Sequence, residues 1–162
     1  MGAPLAYLLT WTCYGSWLHG DERGSVDKEH NIRGAPYLAP NARRRRFAGD
    51  QMLDCRVELD ARSRGVVEQA IRDHCVVRGW DLLALAVRTT HIHSVVVCPP
   101  DVPPERVLTE FKAWSTRRLR AAGGAAPGTK LWTHHGSTRW INDRRSLNAA
   151  IAYVLEGQST PR

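Results

Sequence analysis

The sequence predicts an α+β protein, with a ferredoxin-like (split βαβ) antiparallel sheet and an added C-terminal helix. Short apolar runs typical of strands alternate with longer segments whose apolar residues recur at helical spacing, in the order β, loop, α, β, β, α, β, α. Without the last helix, this order is βαββαβ. The 162 residues contain no internal repeat and no linker, so we expect a single domain over residues 1–162.

The first strand is predicted over residues 4–13, which read "PLAYLLTWTC" and are rich in β-forming and aliphatic side chains. A polar stretch at about 14–58 follows, and its Gly, Pro and Asn content argues against regular structure. It includes four consecutive arginines. We interpret it as a long basic loop, and loops of this length in a compact domain tend to be functional or disordered.

The first helix is predicted to begin after the N-cap Asp60 and to end at Gly79. Its residues at helical spacing are Val66, Val67, Ala70, Ile71, Cys75 and Val76. The two apolar runs that follow, "WDLLALAVRT" and "HIHSVVVCPP", have almost nothing between them, so they predict an antiparallel hairpin.

A second helix is predicted from about Pro104 to Ala121. Its apolar positions are Val107, Leu108, Phe111, Trp114 and Leu119, and its other face carries Lys112, Arg117, Arg118 and Arg120. The stretch "STRWIND" predicts a short edge strand, and "RSLNAAIAYVLEGQ" a third helix with Ser146 as its N-cap.

The composition favours a soluble protein that binds a polyanion. The net charge is +7 and the pI is about 9.7, which is typical of proteins that meet nucleic acid. An arginine-rich, high-GC genome would produce the same charge. No apolar run approaches the ~20 residues that span a bilayer. The four cysteines lack disulfide or zinc spacing, so we expect reduced thiols in a cytoplasmic protein.

Two histidines flank one isoleucine at the start of the predicted third strand. Residues i and i+2 of a strand point to the same face, so His91 and His93 present their rings together. Val95 and Val97 continue that face, so the rings border a core, where a shared divalent metal would give them a partner. The alternative is two polar residues on a solvated face. A metal would need oxygen ligands as well, which suggests phosphodiester chemistry with a nucleophile elsewhere.

Tyr153 is the tyrosine of the last predicted helix. The apolar stripe of that helix consists of Leu147, Ile151, Val154 and Leu155. Tyr153 falls roughly 120° from the centre of the stripe, where it is either a tyrosine at the rim of the core or a reachable hydroxyl. Glu156 shares its side of the helix and Gln158 follows, so either could supply an oxygen ligand.

These motifs resemble those of the HUH-type single-tyrosine transposases, and more narrowly the REP-associated tyrosine transposase and IS200-like branch. The resemblance is carried by "HIH" at 91–93, the basic helix after it, "YVLEGQ" at 153–158 and "YGSWLHGDERGSVD" at 14–27. It implies a metal-dependent enzyme that nicks and rejoins single-stranded DNA.

The resemblance also implies roles for individual residues. His91 and His93 would bind Mg²⁺ or Mn²⁺, and Tyr153 would attack the scissile phosphate, leaving a 5′-phosphotyrosine and a free 3′-hydroxyl. The relatives place a glutamine one turn after the tyrosine, where this chain has Gly157. The third ligand is therefore open between Gln158, by motif, and Glu156, by helix geometry.

The expected partner is single-stranded or hairpin DNA, bound by a monomer or a homodimer, and no membrane. The expected phosphate contacts are Arg43, Arg44, Arg45 and Arg46, extended by Lys112 and Arg117. Trp17 is expected near the DNA, Trp11 and Trp140 are further candidates for stacking on bases, and Trp80, Trp114 and Trp132 are expected in the core.

Two other functions remain open from the sequence. One is a non-catalytic nucleic-acid-binding module derived from a transposase. The other is a metal-dependent nuclease that uses water and leaves Tyr153 structural. The sequence also leaves open whether the site is completed within one chain or by a helix from a second subunit.

Overall fold

The computed structural model describes residues 2–15 and 56–156. These residues form four strands and three helices, in an order that confirms the predicted α+β class. The elements are β1 (Ala6–Thr12), α1 (Ala61–Arg78), β2 (Asp81–Val87), β3 (His91–Val97), α2 (Pro104–Ala121), β4 (Ser137–Ile141) and α3 (Arg144–Leu155).

The four strands form one antiparallel sheet in the order β2-β3-β1-β4. This is the order that two interleaved βαβ units produce, because each crossover helix leaves room for one strand between the strands it joins. β1 therefore lies in the interior of the sheet. Its Thr10 is paired with His93 of β3 on one side and with Ser137 of β4 on the other.

Helices α1 and α2 pack against one face of the sheet and against each other. The larger core lies between them, and the side chains that fill it alternate along the central strands, as in Leu9 and Trp11 of β1 and Ile92 of β3. Phe111 of α2 packs against the Trp11 ring at a centroid distance of 6.1 Å.

Helix α3 packs on the opposite face. It begins directly after β4 and contacts β2 and β3, so it crosses the sheet. A second core forms under it, where Val154 and Ala150 meet Val95 of β3 and Ala84 of β2. Because His91 and His93 share a strand face with Val95, this second core borders the histidines, as the sequence predicts.

The helix termini confirm one predicted cap and correct another. The Asp60 side chain accepts a hydrogen bond from the Ser63 N–H, and Gly79 ends α1 in the left-handed region at φ 69°. The prediction of Ser146 as the cap of the last helix is wrong. The cap is Asp143, whose carboxylate accepts the backbone N–H of Ser146 at 2.8 Å.

Four apolar residues differ from their predicted burial. Val76 and Leu155, predicted on apolar stripes, are 81% and 54% exposed, so each points to solvent rather than into the contact face of its helix. Trp114, predicted in the core, is 38% exposed on α2. Trp11, a candidate for stacking on bases, is buried under α2.

The described ends of the long segment between β1 and α1 lie next to each other. The Tyr14 carbonyl accepts the N–H of Val57 at 2.9 Å. Residues 16–55 lie outside the described residues, and with them Trp17 and the arginine run 43–46. The cysteines within the described ranges, Cys13, Cys75 and Cys98, are free thiols. None of the helices described here is long and apolar enough to cross a membrane.

Candidate active site

The histidine pair, His91 and His93, lies at the start of β3, where the hairpin from β2 closes. The Arg88 N–H donates to the His91 carbonyl at 2.8 Å and extends the β2–β3 ladder to the end of the hairpin. The two imidazoles share one face of the sheet, with ring centroids 4.9 Å apart. The spacing of the two residues in a strand therefore produces the predicted side-by-side arrangement.

Burial sets the protonation of His93. Its residue is 5% exposed. This burial, assisted by the positive charges of His91 and Arg88, lowers the pKa of His93 to about 4. His93 is thus neutral at physiological pH, and neutral imidazole is the form that binds a metal ion.

Threonine hydroxyls hold both imidazoles through Nδ1. Thr10 Oγ1 lies 2.8 Å from His93 Nδ1, and Thr90 Oγ1 lies 3.2 Å from His91 Nδ1. In the tautomer in which Nδ1–H of His93 donates to Thr10, Nε2 presents its lone pair. A hydrogen bond of this kind to the second ring nitrogen is a usual accompaniment of metal-binding histidines.

Tyr153 of α3 lies beside the histidine pair in the same chain. Its ring centroid is 5.6 Å from that of His93, with the planes nearly perpendicular at 87°. The next residue, Val154, is fully buried and anchors α3 on the sheet, whereas Tyr153 is 47% exposed. The phenol is therefore next to the imidazoles and open to solvent. This position agrees with the predicted displacement of Tyr153 from the apolar stripe.

The donor atoms suit a divalent metal only in part. His91 and His93 provide two imidazole nitrogen donors held by threonines. Within residues 2–15 and 56–156, no Asp, Glu or Cys joins them in a group that could hold a metal ion. Glu156 is exposed at the C-terminal end of α3, and Gln158 lies outside the described residues. The choice between these two residues as a third ligand stays a prediction.

The expected DNA-contacting side chains of α2 have protein partners. The Lys112 ammonium donates to the carbonyls of Thr133 and His135, at 2.9 and 3.1 Å, and burial lowers the pKa of Lys112 to about 8. The Arg117 guanidinium lies 4.9 Å from the centre of the Trp114 ring. These two hydrogen bonds from Lys112 hold the segment before β4 against α2. The DNA contacts of both residues stay predictions, as do those of residues 43–46 and Trp17.

Sequence reasoning missed three residues of the site, Thr10, Arg88 and Thr90. Thr10 is 83 residues from His93, and only the pairing of β1 with β3 brings them together. The sequence pattern places Arg88 only at the end of a strand. The position of Arg88 opposite His91 was predictable, because a tight hairpin whose second strand starts at His91 places a residue near position 88 across from it.

The fold and the family are shown by comparison with known proteins. The model of the family described as "Transposase IS200 like" matches residues 39–155, which is more than half of the chain and includes the histidine pair and Tyr153. We found no significant match among curated proteins.

Two solved structures are similar to this chain. One is a REP-associated tyrosine transposase bound to a REP hairpin. It has a TM-score of 0.51 and 12% sequence identity over 94% of this chain, and the match spans 66% of that protein's length. The second is a candidate transposase from Deinococcus radiodurans R1, with a TM-score of 0.48 and 17% identity over 98% of this chain and 93% of that one.

The likeness to the REP-associated enzyme shows a shared fold, with a four-stranded antiparallel sheet and three helices. The match to the family model covers strands β2, β3 and β4, all three helices, the histidine pair and Tyr153. The chain therefore belongs to the IS200-like transposase family.

Proposed function

We propose that the protein is a single-stranded DNA endonuclease and strand transferase that acts through a 5′-phosphotyrosine intermediate. The observation that carries this proposal is the position of Tyr153, whose ring lies 5.6 Å from that of His93 while half of the residue remains exposed. A tyrosine that only covered the edge of the core would not have to combine contact with a buried imidazole and a solvent-exposed ring that a DNA strand can reach.

The proposed reaction exchanges one phosphodiester bond for another. The Tyr153 oxygen attacks the scissile phosphorus and its proton leaves to solvent, which the exposure of the residue permits. The bond from phosphorus to the 3′-oxygen breaks, and that oxygen takes up a proton as a free 3′-hydroxyl. Attack by another 3′-hydroxyl reverses the step and releases Tyr153. Because the tyrosyl ester conserves the phosphodiester energy, no nucleotide cofactor is required.

His91 and His93 would hold Mg²⁺ or Mn²⁺, with Gln158 or Glu156 as a third ligand. When bound, such an ion supplies Lewis-acid polarisation of the phosphate. The protein's own contribution is to keep both imidazoles oriented through Thr10 and Thr90. Burial of His93 supports the same role, since it keeps that ring in its neutral form.

The proposed substrate is single-stranded DNA, including strands that carry a hairpin. The net charge of +7 supports a polyanionic partner. The similar REP-associated transposase was solved with a REP hairpin, which makes hairpin DNA the first probe to use.

The test is incubation of the protein with 5′- and 3′-labelled hairpin oligonucleotides and Mn²⁺. We expect a covalent adduct with the 5′-phosphate side of the cut and a free 3′-hydroxyl on the other product. Tyr153→Phe should abolish the adduct with DNA binding retained. Tyr14→Phe is the matched control. Its ring packs under the Lys130 ammonium at 4.7 Å, a contact that phenylalanine preserves, and it should leave the adduct unchanged.

Three other results would overturn the proposal. Cleavage that persists in Tyr153→Phe would show that water is the nucleophile. Binding without cleavage by the unmodified protein, with Mg²⁺ or Mn²⁺ supplied, would show a non-catalytic DNA-binding module. An adduct on a residue other than Tyr153 would reject the assigned nucleophile.

A further inference from the structure

We propose that the Arg88 guanidinium binds the phosphate that Tyr153 attacks and stabilises the charge that this phosphate gains in the transition state. This inference rests on the proposed function and adds a catalytic residue that neither the histidine motif nor the tyrosine helix includes.

The β2–β3 ladder places Arg88 on the face of the sheet that carries the histidines. Ala86 is the partner of His93 in the register, and directly paired residues of two strands point to the same face. Arg88 follows Ala86 by two residues, and its N–H bond to the His91 carbonyl continues the ladder. Arg88 is thus the cross-strand neighbour of His91 on the same face as both imidazoles.

The turn that carries Arg88 is held on both sides. The Thr89 carbonyl accepts the N–H of Leu59, just before α1, and the Thr90 carbonyl accepts the N–H of Cys13, just after β1, both at 2.8 Å. Arg88 itself is half-buried. A side chain that starts from a fixed backbone loses less entropy when it binds a substrate, as a preorganised catalytic group should.

The electrostatics of the site match an anion. Arg88 carries a permanent positive charge on the face of the sheet that carries the two imidazoles. In the described part of the chain, no carboxylate clusters with the two histidines. The charged oxygens of a phosphodiester bound beside the two imidazoles would lie next to this cation.

Arginine suits this role better than lysine. Its planar guanidinium donates two parallel hydrogen bonds to the non-bridging oxygens of a phosphate, and those oxygens carry the charge that grows as the tyrosyl oxygen approaches. Each of these hydrogen bonds strengthens in the transition state, so the residue contributes to the rate of the chemical step more than to DNA affinity.

The experiment compares single-turnover rates of adduct formation for the unmodified protein, Arg88→Met, Arg88→Lys and the control Arg72→Met. Arg72 pairs with Glu68 on the exposed side of α1, across the sheet from the site. We expect Arg88→Met to slow adduct formation about 100-fold. Arg88→Lys should slow it about 10-fold, since lysine keeps the positive charge but cannot donate two parallel hydrogen bonds from a planar group. Arg72→Met should react at the unmodified rate.

Two readouts separate this role from a structural one. Arg88→Met should bind Mn²⁺, measured calorimetrically without DNA, at least as tightly as the unmodified protein, because a nearby positive charge has been removed. The second readout uses an oligonucleotide with a neutral methylphosphonate at the mapped cleavage position. Its binding should be equal for the unmodified protein and Arg88→Met, whereas binding of the charged oligonucleotide should differ.

The outcomes distinguish this inference from the proposed function. If the unmodified protein forms a tyrosyl adduct and Arg88→Met forms it at the same rate, Arg88 has no catalytic role and the proposed function stands. If Arg88→Met is slow but loses Mn²⁺ binding to the same degree, or if its defect persists on the methylphosphonate, the phosphate contact is rejected. If the unmodified protein forms no adduct, the proposed function itself fails.

Discussion

The Thr10 hydroxyl lies 2.8 Å from Nδ1 of His93, which joins an interior strand of the sheet to the more deeply buried imidazole of the site. This contact orients the ring, and in the tautomer in which Nδ1–H donates to Thr10, Nε2 presents its lone pair. Thr10→Val retains the shape of the side chain and removes the hydroxyl. We expect it to weaken Mn²⁺ binding by about 10- to 100-fold, measured by calorimetry on the protein without DNA.

Thr10→Ser serves as the control, because it keeps the hydroxyl and loses only a methyl group. It should bind Mn²⁺ within a few-fold of the unmodified protein. Equal Mn²⁺ affinity in Thr10→Val, with the sheet still folded, would show that the hydroxyl has no part in orienting His93.

The histidine pair and Tyr153 meet within one chain, with the His93 and Tyr153 rings 5.6 Å apart. We therefore expect no complementation between two inactive variants. A mixture of His91→Ala and Tyr153→Phe should form no more DNA adduct than the two proteins form separately, as judged by denaturing gels. Recovery of adduct in the mixture would show that α3 is exchanged between subunits.

Gly136, just before β4, lies close against β1. A Cβ at this position would come within 2.6 Å of the Thr10 carbonyl and 2.9 Å of a Leu108 methyl group. Because a backbone atom cannot give way easily, we expect Gly136→Ala to destabilise the fold by about 1–3 kcal/mol. Displacement of β1 at Thr10 should lower Mn²⁺ affinity as well. Urea unfolding and calorimetry measure the two effects.

Gly65→Ala is the opposite case and a control for the same substitution. Gly65 lies inside α1, exposed, and a Cβ at this position would meet no atom within 4 Å. Alanine there should stabilise the protein by about 0.5–1 kcal/mol through helix propensity. If Gly136→Ala were as stable as Gly65→Ala, the close approach at β1 would not constrain the fold.

Glu110 of α2 links the two helices of the larger core. Its carboxylate accepts hydrogen bonds from His74 at 2.6 Å, from Nε and Nη2 of Arg78, and from Nε of Arg106. Partial burial alone would raise the pKa of Glu110, but the hydrogen bonds from these three residues outweigh it and leave the pKa below its ordinary value. We expect Glu110→Gln to lower the free energy of unfolding at pH 7 by about 2 kcal/mol.

The depressed pKa fixes the pH dependence of this effect. The stabilisation is fully present above the ordinary carboxyl pKa and is lost as the pH falls through the folded-state value. The difference between the unmodified protein and Glu110→Gln should therefore shrink in urea titrations taken below about pH 4.5. Glu68→Gln, which breaks an exposed pair with Arg72, should change stability little at either pH. A constant Glu110→Gln difference across this range would contradict the linkage.

Much of this architecture is predictable from local pattern. The second helix begins at Pro104 and ends at Ala121 as predicted, since a proline before an amphipathic run fixes its start and the glycines after it fix its end. The neighbouring rings of His91 and His93 also follow from a local rule, the alternation of side chains along a strand. The position of Tyr153 off the apolar stripe follows from the 3.6-residue period.

The remaining features depend on long-range pairing or on helix phase. Thr10 enters the site only through the register of β1 against β3, which no local signal specifies. Asp143 and Ser146 are both good capping residues. Which of them caps the helix depends on the residue at which the edge strand β4 ends, here Ile141. With Asp143 as the cap, the Ser146 N–H becomes its hydrogen-bonded partner rather than the start of the helix.

The interior position of β1 has a consequence for how the protein matures on the ribosome. This strand emerges early, whereas its first neighbour, β3, is complete only after residue 97 and its second, β4, only after residue 141, so the sheet closes around β1 late in synthesis. Until the last helix follows, Tyr153 cannot lie beside His93 in a partly synthesised chain.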